Sequence, residues 1–81
     1  MKIPVLLAFF ICENLNLEID ITKELKIWLP KKLENKRRIE IPEILHFFFL
    51  DFIKEKEIKK NQQCKIIIFY KDLSEESIFF N

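Results

Sequence analysis

Two short segments of the chain are apolar on both of their alternating faces. They are residues 3–12, IPVLLAFFIC, and residues 64–71, CKIIIFYK. This pattern is typical of a strand that is covered on both sides of its sheet. Pro4 fits only near the start of the first strand or at a sheet edge. We therefore expect two strands that need apolar cover on each face.

A third segment alternates strictly between apolar and polar positions. In residues 15–21, LNLEIDI, the side chains of Asn16, Glu18 and Asp20 share one face, and the opposite face carries only leucine and isoleucine. Such alternation predicts a half-buried strand with one face in water. A turn at residues 13–14 leads into it.

Residues 22–33, TKELKIWLPKKL, fit two structures. As a strand, the apolar residues alternate, and a three-residue loop would place them on the buried face of the preceding strand. As a helix, the segment has an N-cap in Thr22 and a stripe that includes Leu25 and Leu29, but Pro30 would end it after about two turns. The register of the hairpin favours the strand.

Residues 43–53, EILHFFFLDFI, have the spacing of a helix that is apolar on nearly every side. Pro42 suits the first turn of this helix, and Glu43 lies near the positive end of its dipole. Residues 59–63, KKNQQ, suit its end, so we predict a helix over residues 42–60. At about 100° per residue, its buried face comprises Leu45, Phe48, Phe49 and Phe52, flanked by Ile44 and Ile53.

Together these elements predict a single α+β domain over residues 1–81. It has an antiparallel or mixed sheet of about four strands, packed by one long helix at residues 42–60. The polar connection at residues 30–38 leads into a possible short strand at residues 38–41. After residue 72 we expect a polar turn and then an apolar tail.

The predicted helix also carries apolar residues on the face that points away from the sheet. Phe47 and Leu50 lie there, where a two-layer domain would expose only polar groups. Either the connection at residues 30–38, Trp28 and the tail form a third layer, or another protein or a second copy covers the surplus. We favour the second interpretation. The expected contact residues are Phe47, Leu50, Ile78, Phe79 and Phe80.

The composition removes several classes of function. The chain has 81 residues and no glycine, which excludes Gly-rich nucleotide-binding loops. Its formal charge of +1 gives no field that predicts binding to nucleic acid or to acidic membranes. The apolar N-terminal segment has the length of a signal-peptide core, but no small-residue cleavage site follows it and it is too short to span a bilayer. We expect no membrane span and a cytoplasmic location.

Two cysteines, Cys12 and Cys64, do not make a disulfide framework. They could pair if the strands that carry them are neighbours. In a reducing cytosol, however, two buried free thiols are the expected state.

No arrangement of residues predicts catalysis or metal binding. His46 is the only histidine, and Glu43 offers a single Glu-x-x-His pair where a di-iron bundle needs two pairs and two further glutamates. The hydroxyls and thiols have no adjacent base and no glycine elbow. We expect a protein that is not an enzyme and that needs no metal and no cofactor.

One alternative function comes from the basic connection. Basic side chains beside an aromatic ring can hold a phosphate backbone and stack a base, although Glu34 and Glu40 dilute this charge. The residues of this alternative nucleic-acid site are Trp28, Lys31, Lys32, Lys36, Arg37 and Arg38.

Surplus apolar surface without catalytic chemistry favours a small protein-binding module. We expect a subunit of a larger assembly, or an inhibitor or regulator that docks on one. Small inhibitors from phage or mobile elements share this profile, which is an analogy of type and not of sequence.

Overall fold

The described part of the chain folds into a four-stranded antiparallel sheet with two α-helices on one of its faces. The computed structural model describes residues 5–59 and 63–80. The elements are β1 (Val5–Cys12), β2 (Leu17–Asp20), α1 (Thr22–Lys32), α2 (Ile41–Glu55), β3 (Cys64–Tyr70) and β4 (Glu75–Phe80). The strand order is β2-β1-β3-β4, and each neighbouring pair is antiparallel. The predicted α+β class, with about four strands and one long helix, is confirmed.

The two central strands are β1 and β3, the segments whose sequences are apolar on both faces. On β3, Cys64, Ile66, Ile68 and Tyr70 point toward the helices and are buried. The side chains between them are only partly buried, because no element of the described chain covers that side of the sheet. Residues 3 and 4 of the first predicted strand lie outside the described residues.

Helix α2 packs on the sheet with the face that its periodicity predicts. Leu45, Phe48, Phe49, Phe52 and Ile53 are all at most 8% exposed. The helix ends at Glu55, earlier than the predicted residue 60. It ends because the chain turns at Glu57, which has a left-handed backbone with φ of 57°.

A continuous row of aromatic rings connects α1, α2, β1 and β4 through the core. Phe80 stacks on Phe49 at 4.1 Å, Phe49 on Phe10 at 5.9 Å, and Phe10 contacts Phe52 at 4.6 Å. The row continues from Phe52 to Phe48 and ends at Trp28. Aromatic pairs contribute about 0.5–1.5 kcal/mol beyond their buried area, so this aromatic row is a main element of the core.

The prediction of a strand over residues 22–33 is wrong, since Thr22–Lys32 is helix α1. Thr22 is the reason that the hairpin does not form. Its hydroxyl accepts a hydrogen bond from the backbone N–H of Ala8 on β1, and the carboxylate of Asp20 accepts from both its hydroxyl and its backbone N–H. The chain then leaves the sheet, and Leu25 and Leu29 are completely buried as neighbours on one helix face. Pro30 lies inside the helix, which continues for two further residues.

The tail and the connection also differ from their predictions. The tail is strand β4, paired with β3 from Cys64↔Phe80 to Phe69↔Glu75. The short strand predicted at residues 38–41 is wrong, because Arg38–Glu40 forms a single 3₁₀ turn that continues into α2. Neither segment forms a third layer.

Cys12 and Cys64 form a disulfide, so the expectation of free thiols is wrong. The two residues are direct partners across β1 and β3, and both are buried on the helix side. The sequence allows this pairing if the strands that carry the two cysteines are neighbours, and β1 and β3 are neighbours in the sheet. The disulfide joins the central strand pair across a sequence separation of 52 residues.

Among the residues that the structure describes, four adopt the left-handed backbone that glycine usually supplies. They are Asn16, Asn35, Glu57 and Leu73, with φ between 50° and 71°. Asparagine tolerates this conformation, but a residue such as Glu57 or Leu73 is destabilised there by about 1–2 kcal/mol. A chain without glycine therefore accepts backbone strain at two of its turns.

Candidate functional site

One uncovered apolar surface is the side of the sheet opposite the helices, here called the open face. Leu7 and Phe79 are 41% and 69% exposed, and the rings of Phe9 and Phe69 meet edge to face at 6.4 Å. The strand pairing places its side chains in rows, with Ile11 beside Lys65 and Phe9 beside Ile67. The apolar residues of the open face are Leu7, Phe9, Ile11, Ile67, Phe69 and Phe79.

Carboxylates flank the open face on both outer strands. Glu18 and Asp20 on β2 pair with Ile11 and Phe9, and Glu75 on β4 pairs with Phe69. The one base in these rows, Lys65, has its ammonium 3.6 Å from a carboxylate oxygen of Glu13 and 5.9 Å from the centre of the Phe79 ring. The paired rows therefore form an apolar stripe between two acidic margins, and Lys23 and Lys26 line a depression beside Leu7 and Asp20 at one end of the first margin.

A second apolar surface lies on the helices. A groove of about 680 Å³ runs between α1 and α2, with Trp28, Ile44 and Phe47 as its apolar lining. Lys32 and Lys36 line one part of it, and three carboxylates line the rest: those of Glu40, Glu43 and Asp51. Because both signs of charge line this groove, its electrostatics select no single class of ligand.

The five residues predicted to contact a partner lie on two different surfaces and in the core. Phe47 and Leu50 are 66% and 48% exposed on the outer side of α2. Phe79 belongs to the open face, on the other side of the molecule. Ile78 and Phe80 are buried against the helices at 5% and 2% exposure, because alternate residues of β4 point to opposite sides. The tail thus contributes one exposed residue and two core residues.

Sequence reasoning did not name the residues of the open face on β1 and β3, although the signal was present. The same alternation that buries Phe10 and Ile68 places Phe9 and Ile67 on the other side. The sequence indicates that this second face is apolar. It does not indicate that both helices leave it uncovered.

The residues of the alternative nucleic-acid site do not form one basic surface. Trp28, Lys32 and Lys36 share the groove with three carboxylates. Arg38 instead contacts the β3–β4 turn, where its guanidinium donates to Ser74 at 2.9 Å and forms an ion pair with Asp72 at 3.4 Å. Lys31 and Arg37 are exposed. Binding to nucleic acid stays a prediction that no observed contact specifically supports.

Arg38 also stacks on Tyr70, with the guanidinium carbon 3.9 Å from the ring centre. The Tyr70 hydroxyl donates a hydrogen bond of 2.8 Å to a carboxylate oxygen of Glu76. Burial of the phenol, together with this acceptor, raises the pKa of Tyr70 well above its ordinary value of 10.0. Arg38, Tyr70 and Glu76 thus form a cluster at one end of the sheet, in which the phenol of Tyr70 is neutral.

This cluster predicts an unusual alkaline titration. The pKa of Tyr70 is higher in the folded than in the unfolded state, so the stabilisation is complete below pH 10.0 and is lost as the pH rises above that value. We expect native protein to show no tyrosinate absorbance at a pH where denatured protein has half ionised. Tyr70 is the only tyrosine, so near-ultraviolet absorbance reports it alone. A native midpoint at the ordinary value would contradict the prediction, and Tyr70→Phe gives the baseline.

The groups considered for catalysis mostly have structural partners. The Thr22 hydroxyl bonds to Ala8 and Asp20, the Ser74 hydroxyl donates to Asp72, and both thiols are oxidised. His46 lies with its ring edge-on to Phe80 at 4.9 Å. Within residues 5–59 and 63–80, no three His, Cys, Asp or Glu side chains are grouped to hold a metal ion.

No protein family, curated protein or solved structure matches this chain. In the part of the chain that the structure describes, no helix is long and apolar enough to cross a membrane. The open face is therefore the candidate site on the basis of its geometry alone.

Proposed function

We propose that this chain is a small non-enzymatic protein-binding module that docks on a larger protein or assembly through its open face. The observation that supports the proposal is the apolar stripe on β1 and β3, which no element of the described chain covers. Contiguous apolar surface on a small domain usually marks a partner site. A subunit and an inhibitor or regulator would both use such a surface.

The groove beside Phe47 is a secondary contact in this proposal. Phe47 and Leu50 lie on the opposite side of the molecule from the open face, so one compact partner cannot cover both. The open face is preferred because its apolar residues are adjacent on paired strands. A surface carried by paired strands loses little conformational entropy on binding.

A cytoplasmic location also stays a prediction. The cytosol keeps thiols reduced, whereas disulfides persist in oxidising compartments. The Cys12–Cys64 disulfide therefore gives no support to that location.

Photo-crosslinking in the native host tests the proposed docking. A photoreactive amino acid at position 79 should give a discrete adduct with another protein, because Phe79 lies on the open face and is 69% exposed. Adding Ile67→Asp should lower the yield of this adduct by about tenfold or more, since a carboxylate at the centre of the apolar stripe would be buried without a partner. Ile67 is only partly buried and does not belong to the core under the helices.

Two matched variants make the test specific. Leu73→Asp introduces the same charge at a turn residue that is 91% exposed, and it should leave the yield unchanged. The pair Phe47→Asp and Leu50→Asp probes the helix side. Loss of the adduct with this pair, and not with Ile67→Asp, would move the docking site to α2. No discrete adduct from position 79 would count against the proposal.

A further inference from the structure

The apolar stripe of the open face has the width of one helix. Its residues come from β1 and β3, with Phe79 as the single contribution of an outer strand. Adjacent strands are about 4.8 Å apart, and a helix with its side chains is about 10 Å in diameter. A second sheet packed on this side would also have to cover the carboxylates of Glu18, Asp20 and Glu75.

The charges on both margins restrict the partner further. Glu18 and Asp20 lie along one side of the stripe and Glu75 along the other. Lys65 is already paired with Glu13. A helix lying along the stripe would bring its flanking side chains over these carboxylates. Lysine and arginine are suited to this position because their stems pack on apolar surface while their charged ends reach outward.

Two other occupants fit these charges poorly. A second copy of the chain, packed face to face, would bring an acidic margin of one copy toward an acidic margin of the other, and like charges across an interface are unfavourable. Anionic membranes and nucleic acid are repelled for the same reason. The charge pattern selects a partner that is apolar at its centre and basic at its sides.

We infer that the open face binds one amphipathic helix of another protein, with an apolar stripe flanked on both sides by lysine or arginine. This inference rests on the proposed function and specifies the partner's chemistry. The helix packs on β1 and β3, and its basic flanks pair with Glu18 and Glu75. The sheet is then covered by helices on both sides.

A selection from displayed peptide libraries tests the inference. The first library contains amphipathic helices of about 18 residues, roughly 27 Å long, with leucine fixed on one stripe and lysine, glutamate or glutamine allowed at the flanks. The second contains unpatterned linear peptides. Both are selected on the immobilised, disulfide-bonded protein. We expect the helical library to be enriched, with lysine exceeding glutamate at the flanks by about fivefold or more, equivalent to about 1 kcal/mol.

Charge-reversed protein provides the matched control. The double variant Glu18→Lys with Glu75→Lys should reverse the preference at the flanks, whereas Leu73→Asp, at a turn residue that is 91% exposed, should leave it unchanged. One enriched peptide is then titrated by fluorescence anisotropy. Its Kd should rise about tenfold for the double variant, and also when salt is raised from low to high concentration.

Each other outcome overturns the inference in a recognisable way. Flanks enriched in glutamate, or showing no preference, contradict the charge argument. Enrichment of linear peptides alone, or of neither library, contradicts the helical partner. A dimer in light scattering that dissociates with Ile67→Asp identifies a second copy as the occupant. In all these cases the crosslink from position 79 still reports separately on whether the open face docks a protein.

Discussion

Replacing Phe10 with alanine is expected to lower the free energy of unfolding by about 3–5 kcal/mol. Phe10 has no exposed surface and lies at the centre of the aromatic row, in contact with Phe49 and Phe52 on α2. Truncation leaves a cavity between the sheet and α2. This cavity closes only if the helix and the sheet move relative to each other. Small domains are stable by only about 5–15 kcal/mol in total, so this single change removes a large part of the stability.

Urea unfolding measures this effect, and the single Trp28 provides the fluorescence signal because it packs on Phe48 at the end of the row. Phe47→Ala is the matched control. Phe47 is the same residue type and 66% exposed, so its truncation should change the free energy of unfolding by less than about 0.5 kcal/mol. Equal losses for the two variants would mean that Phe10 is not a core residue.

Removal of the disulfide is expected to lower the free energy of unfolding by about 4 kcal/mol. The bond closes a loop with a sequence separation of 52 residues, and the chain-entropy relation gives a value of that size for a loop of this length. The variant is Cys12→Ala with Cys64→Ala, because both side chains are buried and an alanine methyl suits the apolar surroundings. Urea midpoints of oxidised and variant protein provide the comparison.

A reducing agent separates the bond from the substitution. It should destabilise the unsubstituted protein by a similar amount and have no effect on the double alanine variant. A loss below about 1 kcal/mol in both experiments would show that the denatured chain gains little freedom when the bond is absent.

The elements that could be predicted are those whose pattern is long and periodic. In β1, β3 and α2 the apolar spacing fits one structure. Residues 22–33 were mispredicted because leucines four apart also satisfy an alternating pattern. Contacts distant in sequence decide between the two structures, above all the hydrogen bond from the backbone N–H of Ala8 on β1 to the Thr22 hydroxyl. Rules based on neighbouring residues cannot predict that contact.

The sequence predicts that an uncovered apolar surface exists, but it does not predict where in the fold this surface lies. The surplus of apolar residues was visible, whereas its position depends on both helices packing on the same side of the sheet. The tail shows the limit most clearly. Ile78, Phe79 and Phe80 are all large and apolar, so their own sequence does not indicate which of them is buried. The register with β3 buries Ile78 and Phe80 and exposes Phe79. The disulfide likewise required knowledge that β1 and β3 are neighbours.

The central pairing of β1 with β3 also determines when the protein can fold during its synthesis. β1 leaves the ribosome first, and its partner follows only after both helices have been made, 52 residues later at the disulfide. At a translation rate of about 5–20 residues per second, the wait lasts several seconds. Throughout this time β1 has only β2 as a neighbour, and its other edge has no partner strand, so this apolar segment is suited to capture by a chaperone. The sheet is completed only after translation has passed β4.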